Sequence, residues 1–386
     1  MIQEENSDKP ESVRKSASRV KRSLALTIAS LCTSVTGLLL SMLLVRILTL
    51  EDLAVYKQTL LAYQTFVPLL GLGISQGIYY VFSRNEHRQR AVIKECLLLL
   101  LATGTLYAIF MLLGGRVFLA KRVSNPAVET ALLWMIPLAI ISVPAEIRPS
   151  VFVYQDRVNQ NAGFSVLSNL FCALLTLISV VVFRTGMSAV GAYSIGHCGV
   201  GVLGLVLAYR MVPKDSGAVS RDGFMMILKV SIPLGVSSLL GTLSNSLDKW
   251  IISFMRSPEE YAVFSYGAHE LPFLSTIASA ISTVIIVDMV KYTKERRYDD
   301  ALELFKKVAK TTSYFIFPVM MLFMVIADPF YEFMYSVTML PAVPVFRVYL
   351  LMLPIRTVMY GPLMIAMGKS KQVLFRTIAG LVANLI

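Results

Sequence analysis

Long uninterrupted apolar segments are the feature that most constrains this chain. Eleven blocks of mostly hydrophobic residues follow one another, separated by short polar segments. A helix rises about 1.5 Å per residue, so a block of about 20 residues crosses a hydrocarbon layer about 30 Å thick. Only 16% of the 386 residues are charged, whereas soluble domains carry about 25%. The sequence therefore predicts an all-α integral membrane protein and argues against a soluble enzyme, a disordered tail and a disulfide scaffold.

The blocks also divide the chain into two halves. The predicted spans are 23–48, 58–83, 92–115, 130–154, 161–184, 187–210, 226–255, 261–290, 308–331, 344–367 and 372–386. We expect a basic tail (1–22), a first lobe of six helices (23–210), a linker (211–225) and a second lobe (226–386). The last block has only 15 residues, which is short for a span, so we expect the second lobe to be incomplete, with about 11 helices present in all.

Lysine and arginine are distributed unevenly between alternate polar segments. If the N-terminus is cytoplasmic, the cytoplasmic segments hold 26 of the 36 basic residues and the outer segments hold 8. Cytoplasmic segments of membrane proteins carry the excess of basic residues. The sequence thus predicts a multi-pass membrane protein with a cytoplasmic N-terminus. This placement explains most of the net charge of +12 without nucleic acid as a partner.

A repeat relates the two halves at an offset of 208 residues. The segment Glu51–Tyr56 (EDLAVY) follows the first block, and Glu259–Phe264 (EEYAVF) follows the seventh. Chance similarity between two apolar helices is the alternative, but the best match lies in a polar segment. An offset of six spans keeps both halves in one orientation, related by an axis along the membrane normal.

Small residues predict packing rather than chemistry. The segment Gly73–Gly77 fits G-x-S-x-G, but it lies in an apolar helix without the strand–turn–helix setting of a nucleophile elbow. The same glycines fit G-x-x-x-G, which allows close contact between helices in lipid. The four cysteines lie singly inside apolar blocks, so we expect neither a metal site nor a cofactor.

Several segments together resemble one family. The segment 44–56 resembles the end of the first helix in polysaccharide transporters, the O-antigen and exopolysaccharide flippases of the multidrug/oligosaccharidyl-lipid/polysaccharide (MOP) exporter superfamily. Ser231–Pro233, Tyr261–Ser265 and Pro341–Arg347 resemble later segments of the same family. Two departures are Ala54, where the family usually has glycine, and an end in the eleventh helix, where the family has twelve to fourteen.

This resemblance implies a fold and an activity. The implied fold has two six-helix lobes around a cavity that is often cationic. The implied activity is the turnover of an undecaprenyl-diphosphate-linked oligosaccharide from the cytoplasmic to the outer leaflet, for the synthesis of surface polysaccharide. Its partners would be this lipid-linked oligosaccharide, the membrane lipids, and a polysaccharide polymerase with chain-length proteins. We expect a transporter and not an enzyme.

Charged residues inside spans are the candidate site residues, because such residues are costly in a membrane. Arg356 lies near the middle of the tenth span, and its guanidinium suits a phosphate; an ion pair with a buried acid is the alternative. Lys249 is the second candidate anion ligand, unless it extends to the interface. Its neighbour Asp248 is a candidate charge partner or proton acceptor.

Further candidates lie nearer the span ends. Arg148 could bind substrate or lipid headgroups, and Arg46 could bind substrate or lie at the outer interface. Glu146, His269 and Glu270 are candidate charge partners or proton carriers, although a buried histidine with satisfied hydrogen bonds is the commoner arrangement.

Three other functions compete with a flippase. A cation-coupled drug exporter of the same superfamily would favour net negative charge in its cavity. A membrane glycan polymerase or ligase usually needs a sizeable outer loop, and the longest outer segments here are near 115–130 and 328–343. A scaffold without transport activity would pair off its charges inside the membrane.

The charge distribution makes a testable prediction about orientation. In a cysteine-free background, single cysteines in 119–126 should react with an impermeant maleimide in intact cells. Single cysteines in 291–300 should react only after permeabilisation, because that segment belongs to the basic cytoplasmic side. The reverse labelling pattern would contradict the predicted orientation.

Overall fold

The computed structural model describes residues 11–213, 217–269, 289, 292, 293, 295–356, 379 and 380. Over these ranges the chain is helical and contains no β-strand. The helices are α1 (Glu11–Ile47), α2 (Leu50–Leu70), α3 (Ile74–Arg84), α4 (Gln89–Phe110), α5 (Arg116–Arg122), α6 (Pro126–Leu133), α7 (Met135–Ala145), α8 (Arg148–Tyr154), α9 (Val158–Phe183), α10 (Gly186–Met211), α11 (Arg221–Met255), α12 (Pro258–Gly267), α13 (Tyr298–Tyr335), α14 (Val343–Leu350) and α15 (Leu353–Arg356). Short turns of tighter or wider helix cover Glu86–Arg88, Met111–Gly115 and Val337–Ala342.

The helices confirm the predicted fold class. Within the described residues, nine segments are long and apolar enough to cross a membrane, and they correspond to predicted spans one to seven, nine and ten. The eighth predicted span, 261–290, is described to residue 269 and at Met289. The eleventh, 372–386, lies outside the described residues except for 379 and 380.

Several predicted span boundaries differ from the helix ends, and two of these differences change the predicted outer loops. Helix α2 begins at Leu50, eight residues before the predicted boundary at 58. The hydroxyl of Thr49 accepts a hydrogen bond from the backbone N–H of Asp52 at 3.2 Å, and this cap starts the helix. The third span continues beyond residue 115 as α5, which ends at Arg122. Hydropathy locates the segment inside hydrocarbon, whereas caps set the helix ends, so the predicted outer loops 46–57 and 116–122 are largely helical.

The repeated polar motif is a helix cap in both halves. Ser257 lies 208 residues after Thr49, and its hydroxyl accepts a hydrogen bond from the backbone N–H of Glu260 at 3.3 Å. The Glu260 carboxylate accepts one in return from the backbone N–H of Ser257 at 3.2 Å, which forms a capping box. The carboxyl groups of Glu51 and Glu259 interact, so both caps lie at one end of the bundle, the Glu51 end. This agrees with the expected common orientation of the repeats.

The first group of helices packs through small residues and one interhelical cap. Helix α10 packs on α9, α7 and α2, while α1 packs on α9 and α4 packs on α7. A Cβ atom at Gly104 would lie 2.8 Å from the carbonyl oxygen of Ala139, so the backbones of α4 and α7 touch. The carboxylate of Asp52 accepts a hydrogen bond from the backbone N–H of Gly186 at 2.6 Å. This bond joins the start of α2 to the start of α10.

Helices α2 and α3 meet α11 of the second half in a contact that we call the seam. Towards the Glu51 end, the side-chain amide of Gln58 donates to the hydroxyl of Ser253 at 3.1 Å. Two helical turns further along α2, and one turn along α11, the indole N–H of Trp250 donates to the hydroxyl of Thr65 at 3.0 Å. Beyond the break between α2 and α3, Gln76 donates to Ser238 at 3.0 Å. Hydrogen bonds therefore cross the seam on both sides of the helix break.

The centre of the seam is a contact between two backbones. Gly73 has a φ of +68° and lies in the break between α2 and α3. A Cβ atom there would lie 2.3 Å from the backbone nitrogen of Gly235, and a Cβ atom at Gly235 would lie 2.6 Å from the carbonyl carbon of Leu72. At the other glycine of the motif, Gly77, a Cβ atom would lie 2.4 Å from the hydroxyl oxygen of Ser231. The predicted close helix contact at Gly73–Gly77 is confirmed.

A buried carboxylate fixes α11 at the opposite end of the bundle. Glu95 of α4 accepts hydrogen bonds from the guanidinium of Arg88 at 2.5 Å and from the backbone N–H of Ser220 at 2.9 Å. A Cβ atom at Gly223 would lie 2.2 Å from the second carboxylate oxygen of Glu95. Only glycine therefore fits at this position. The carboxylate thus lies against the N-terminus of α11, where unpaired N–H groups favour negative charge. Helix α11 is therefore held against the first group of helices at both ends.

The seam makes a prediction about stability. Gly235→Ala should destabilise the protein by about 1–3 kcal/mol, because the added methyl group overlaps the backbone at Leu72. The measurement is the thermal unfolding of the detergent-purified protein. Gly241→Ala is the matched control, since it changes the same helix at a position with no atom within 4 Å of the added Cβ. It should be neutral or slightly stabilising, and equal unfolding temperatures for the two variants would contradict the described contact.

Candidate functional site

A cavity with both polar and apolar walls lies among four helices of the first half, close to the second half. Its volume is about 420 Å³, which is within the usual range for sites of small molecules. Four helices supply its walls at helical spacing, and His269, just after α12, closes one side. The polar and aromatic lining residues are Ser34 and Ser41 (α1), Tyr56, Lys57 and Gln64 (α2), Asn169 and Thr176 (α9), Tyr193 and His197 (α10), and His269.

Lys57 is the principal charged residue of the cavity wall. It lies seven residues after the start of α2 at Leu50, which places it about 10 Å below the helix end. The side chain is half-buried, and its Nζ lies 4.4 Å from the centre of the Tyr266 ring. Among the described residues, no carboxylate oxygen lies within 4.0 Å of this nitrogen. Among the described residues, the partner of the Lys57 ammonium group is therefore an aromatic ring rather than a carboxylate.

Two basic residues of the second half lie close to Lys57. Lys249, near the end of α11, interacts electrostatically with Lys57, and His269 interacts with both lysines. We call these three residues the basic cluster. Asp248 interacts with Lys249 and with Tyr261, so an acid lies beside one of the three residues. The basic cluster therefore contains residues from both halves of the chain.

Other residues of the cavity wall are polar or aromatic and carry no charge. The side-chain oxygen Oδ1 of Asn169 is buried and has no hydrogen-bond partner. Tyr193 stacks on His197 with ring centres 4.0 Å apart, and Gln64 forms a hydrogen bond with Tyr193. Aromatic faces and amide groups at such spacing can bind a polar ring through its apolar faces and its hydroxyl groups.

The structure brings two of the predicted site residues into this cluster and gives others different surroundings. Lys249 and His269 lie together, as described. Arg46 donates to the backbone oxygen of Phe333 at 2.6 Å, so it links α1 to α13. Arg148 donates to Asn161 at 3.1 Å, and its guanidinium lies 4.3 Å from the centre of the Phe164 ring.

The remaining predicted residues are only partly described. Glu146 is exposed and close enough to Tyr193 to interact with it electrostatically. Arg356 is the last described residue of α15, and its side chain lies outside the described structure. Glu270 also lies outside the described residues. The proposed roles of Arg356 and Glu270 therefore stay predictions.

Sequence reasoning missed Lys57. The predicted second span began at residue 58, and Lys57 was counted in an outer loop. The signal that could have found it is the pattern Thr49-x-x-Asp52, which is typical of a helix N-terminus. A helix that begins there places Lys57 two turns inside the bundle.

Comparison with known proteins identifies relatives at two levels. Residues 20–287 match the model of a protein family described as polysaccharide biosynthesis protein, which is well over half of the chain. No curated protein sequence matches the chain.

Solved structures share the fold. The lipid II flippase MurJ, in its inward closed conformation, is 15% identical with a TM-score of 0.73, over 94% of this chain and 79% of that one. An inward-facing multidrug resistance MATE family transporter of the MOP superfamily is 18% identical with a TM-score of 0.62, over 91% and 87%. A MOP superfamily transporter from Pyrococcus furiosus, described by the reverse polarity of its binding pocket, is 16% identical with a TM-score of 0.59, over 94% and 84%. At these identities, the likeness establishes a common fold.

The basic cluster makes a prediction about stability. Lys57→Met should stabilise the purified protein by about 0.5–2 kcal/mol, because it keeps the side-chain length and removes repulsion from Lys249. Thermal unfolding in detergent without multivalent anions is the measurement. Lys121→Met, at an exposed lysine of α5, should leave the unfolding temperature unchanged. A lower unfolding temperature for Lys57→Met would mean that the contact with Tyr266 outweighs the repulsion.

Proposed function

Because this chain belongs to the polysaccharide biosynthesis protein family, we propose that it moves a lipid-linked oligosaccharide across the bacterial inner membrane. Its family match and its fold support a transporter or flippase of the MOP superfamily. The proposed substrate is an undecaprenyl-diphosphate-linked oligosaccharide, moved from the cytoplasmic to the outer leaflet for the synthesis of surface polysaccharide. The family match, over residues 20–287, supports this substrate class.

The observation that carries the proposal is the basic cluster beside the cavity. Lys57 and Lys249 repel each other, and both lie close enough to His269 to interact with it; a group of cations inside a membrane protein is costly unless an anion compensates it. A diphosphate supplies that charge and accepts hydrogen bonds from several donors. We therefore assign the diphosphate of the substrate to this cluster, with Arg356 as a further ligand.

The other predicted residues take supporting roles in this proposal. Asp248 and Glu270 balance part of the cationic charge, and Glu146 with His269 provides titratable groups near the cavity for ion coupling. Arg46 and Arg148 already have protein partners, so the proposal does not depend on them as substrate ligands. The transport needs no cofactor, and a polymerase with chain-length proteins would receive the product outside.

Only the head group of the lipid-linked substrate has to cross the membrane interior. The lipid tail can remain in the bilayer while the sugar and the diphosphate pass through polar space between the two halves. Alternating access then requires the halves to part at one end and close at the other. The contact of Gly73 with Gly235 lies between the polar contacts of the seam, so it suits a pivot for this movement.

The charge of the cluster disfavours the alternative transport function. A drug exporter for organic cations needs an acidic site, whereas the described residues that line this cavity include Lys57 and His269 and no carboxylate. A glycan polymerase or ligase needs a large outer loop, and the segments where such a loop was conceivable hold α5, α6 and the turn Val337–Ala342. The flippase is the function that these observations favour.

The proposal predicts the behaviour of charge variants in vesicles. The protein is reconstituted with fluorescent undecaprenyl-diphosphate oligosaccharide, and an impermeant quencher reports the fraction flipped. Lys57→Gln should slow flipping at least about tenfold, because about 1.4 kcal/mol of anion binding is lost, and Lys57→Arg should retain part of the rate. Arg356→Ala should abolish flipping, and Arg356→Lys should weaken it, since the bidentate fork is lost.

Lys121→Gln is the control, because this lysine is exposed and remote from the cavity. It should flip the probe at the unaltered rate. Undiminished flipping by both Lys57→Gln and Arg356→Ala would refute the assignment of the diphosphate. Absence of flipping by the unaltered protein, together with export of an organic cation, would favour the drug exporter.

A further inference from the structure

The segment that joins the two halves is bound to the first half. Arg90 of α4 donates to the backbone oxygen of Val212, just after α10, at 3.0 Å. Arg88, just before α4, donates to the backbone oxygen of Ala218 at 2.9 Å, and a Cβ atom at Gly217 would lie 2.6 Å from the Cβ atom of Arg88. Two arginines of the first half therefore hold the connection immediately after α10 and shortly before α11.

A buried ion pair fixes the start of α11 to α4. The carboxylate of Glu95 is fully buried and accepts hydrogen bonds from Arg88 and from the backbone N–H of Ser220. Arg88 also donates to the hydroxyl of Ser220 at 3.2 Å. Hydrogen bonds between charged groups are roughly twice as strong as those between neutral groups, and breaking a buried pair leaves an uncompensated charge. Separation of α11 from α4 at this end is therefore costly.

Burial divides α11 into two parts. The buried residues of its first part repeat every four positions: Gly223, Ile227, Ser231 and Gly235. Residues four apart lie on one face of a helix, and this face packs on α3 and α4. In the stretch 236–252, which the structure describes throughout, no residue is buried. Close packing against the first half therefore ends at Gly235.

The contacts beyond Gly235 are of a different kind. They are hydrogen bonds between uncharged side chains: Gln76 with Ser238, Thr65 with Trp250, and Gln58 with Ser253. Such a bond contributes little net stability, since water can replace either partner when the helices part. Lys249 lies in the same stretch and is repelled by Lys57 of the first half. This part of α11 is therefore held more weakly than its start.

Two residues allow α11 to bend where the close packing ends. Pro233 lies inside the helix and has no N–H, so one backbone hydrogen bond is missing there. The hydroxyl of Ser237 donates to the backbone oxygen of Pro233 at 3.0 Å, a type of bond that often bends helices. Gly241 is a weak helix former, and no atom lies within 4 Å of an added Cβ.

We propose that the boundary between the two moving halves lies inside α11 and not in the segment before it. Residues 221–235, the fixed part, move with the first half. Residues 242–255, the far part, move with the second half, and α11 bends between them. The inference rests on the proposed function for the movement itself, since a flippase must part its halves. It shifts the start of the second half from residue 226, the boundary expected from the sequence, to a point beyond Gly235.

Two crosslinks between the first half and α11 test this division. In a cysteine-free background, Asn85→Cys with Met226→Cys joins the first half to the fixed part, where the two native side chains lie 3.4 Å apart. Gln58→Cys with Ser253→Cys joins it to the far part, where they lie 3.1 Å apart. A short bis-methanethiosulfonate reagent closes each pair in proteoliposomes, and a reductant opens it again.

The two crosslinks should have opposite effects on the flipping of fluorescent undecaprenyl-diphosphate oligosaccharide. The crosslink to the fixed part should leave the rate within about twofold of the reduced protein, and the crosslink to the far part should slow it at least about tenfold until reductant is added. If both crosslinks block flipping, α11 moves as a whole with the second half. If neither does, it moves as a whole with the first half. Either result would overturn the inference.

Spin labels test the same division without transport. One pair of labels replaces Arg157 of the first half and Met225 of the fixed part, and the other replaces Phe183 of the first half and Arg256 at the end of the far part. All four side chains are exposed. Double electron–electron resonance of the full chain in lipid nanodiscs should give a narrow distance distribution for the first pair. The second pair should give a broader one, because weakly held segments open more often.

Variants of two glutamates identify the cause of the narrow distribution. Glu95→Gln should broaden it, because the ion pair with Arg88 is lost, whereas Glu86→Gln, at an exposed position just before α4, should leave both distributions unchanged. Equal widths for the two pairs in the unaltered protein would overturn the inference, whether or not the protein flips lipid. Unequal widths in a protein that flips no probe would support the division of α11 and refute the proposed function alone.

Discussion

The interior of a membrane offers polar groups no water, and both the fold and the site depend on this constraint. Backbone groups must find partners within the protein, so the chain crosses as helices. At the break between α2 and α3, Gly235 of α11 covers the backbone at a distance that admits no side chain. Glu95 likewise has the guanidinium of Arg88 and a backbone N–H as partners. Lys57 differs, because it lines a cavity.

The sequence predicted whatever depends on hydrophobic length and residue type. The nine spans of the described residues, the common orientation of the repeats and the close packing at Gly73 all followed from those properties. Lys249 and His269 were candidates for the same reason, and their role stays a prediction. It did not predict Lys57, because a hydropathy boundary was taken for a helix start and the cap at Thr49 was overlooked. The cavity and the partners of Arg46 and Arg148 depend on contacts between residues far apart in the chain, which one sequence does not specify.

Helix α2 connects the seam to the cavity. Lys57 and Gln64 lie on the face that lines the cavity, while their neighbours Gln58 and Thr65 form hydrogen bonds with α11. Adjacent residues of a helix point about 100° apart, so one helix serves both surfaces. A shift of α2 against α11 therefore moves one wall of the cavity, and a ligand in the cavity biases the position of the seam.

The backbone contact at Gly73 and Gly235 has a consequence for the divergence of such proteins. Neither position can acquire a side chain alone, so a lineage that changes one of them must change its neighbour or part the two helices. The cavity wall is less restricted, since a Cβ atom at Gly37 would meet no atom within 4 Å. Sequences that descend from this one can therefore change the residues of the cavity, and with them the substrate, while the contact between Gly73 and Gly235 is kept unchanged.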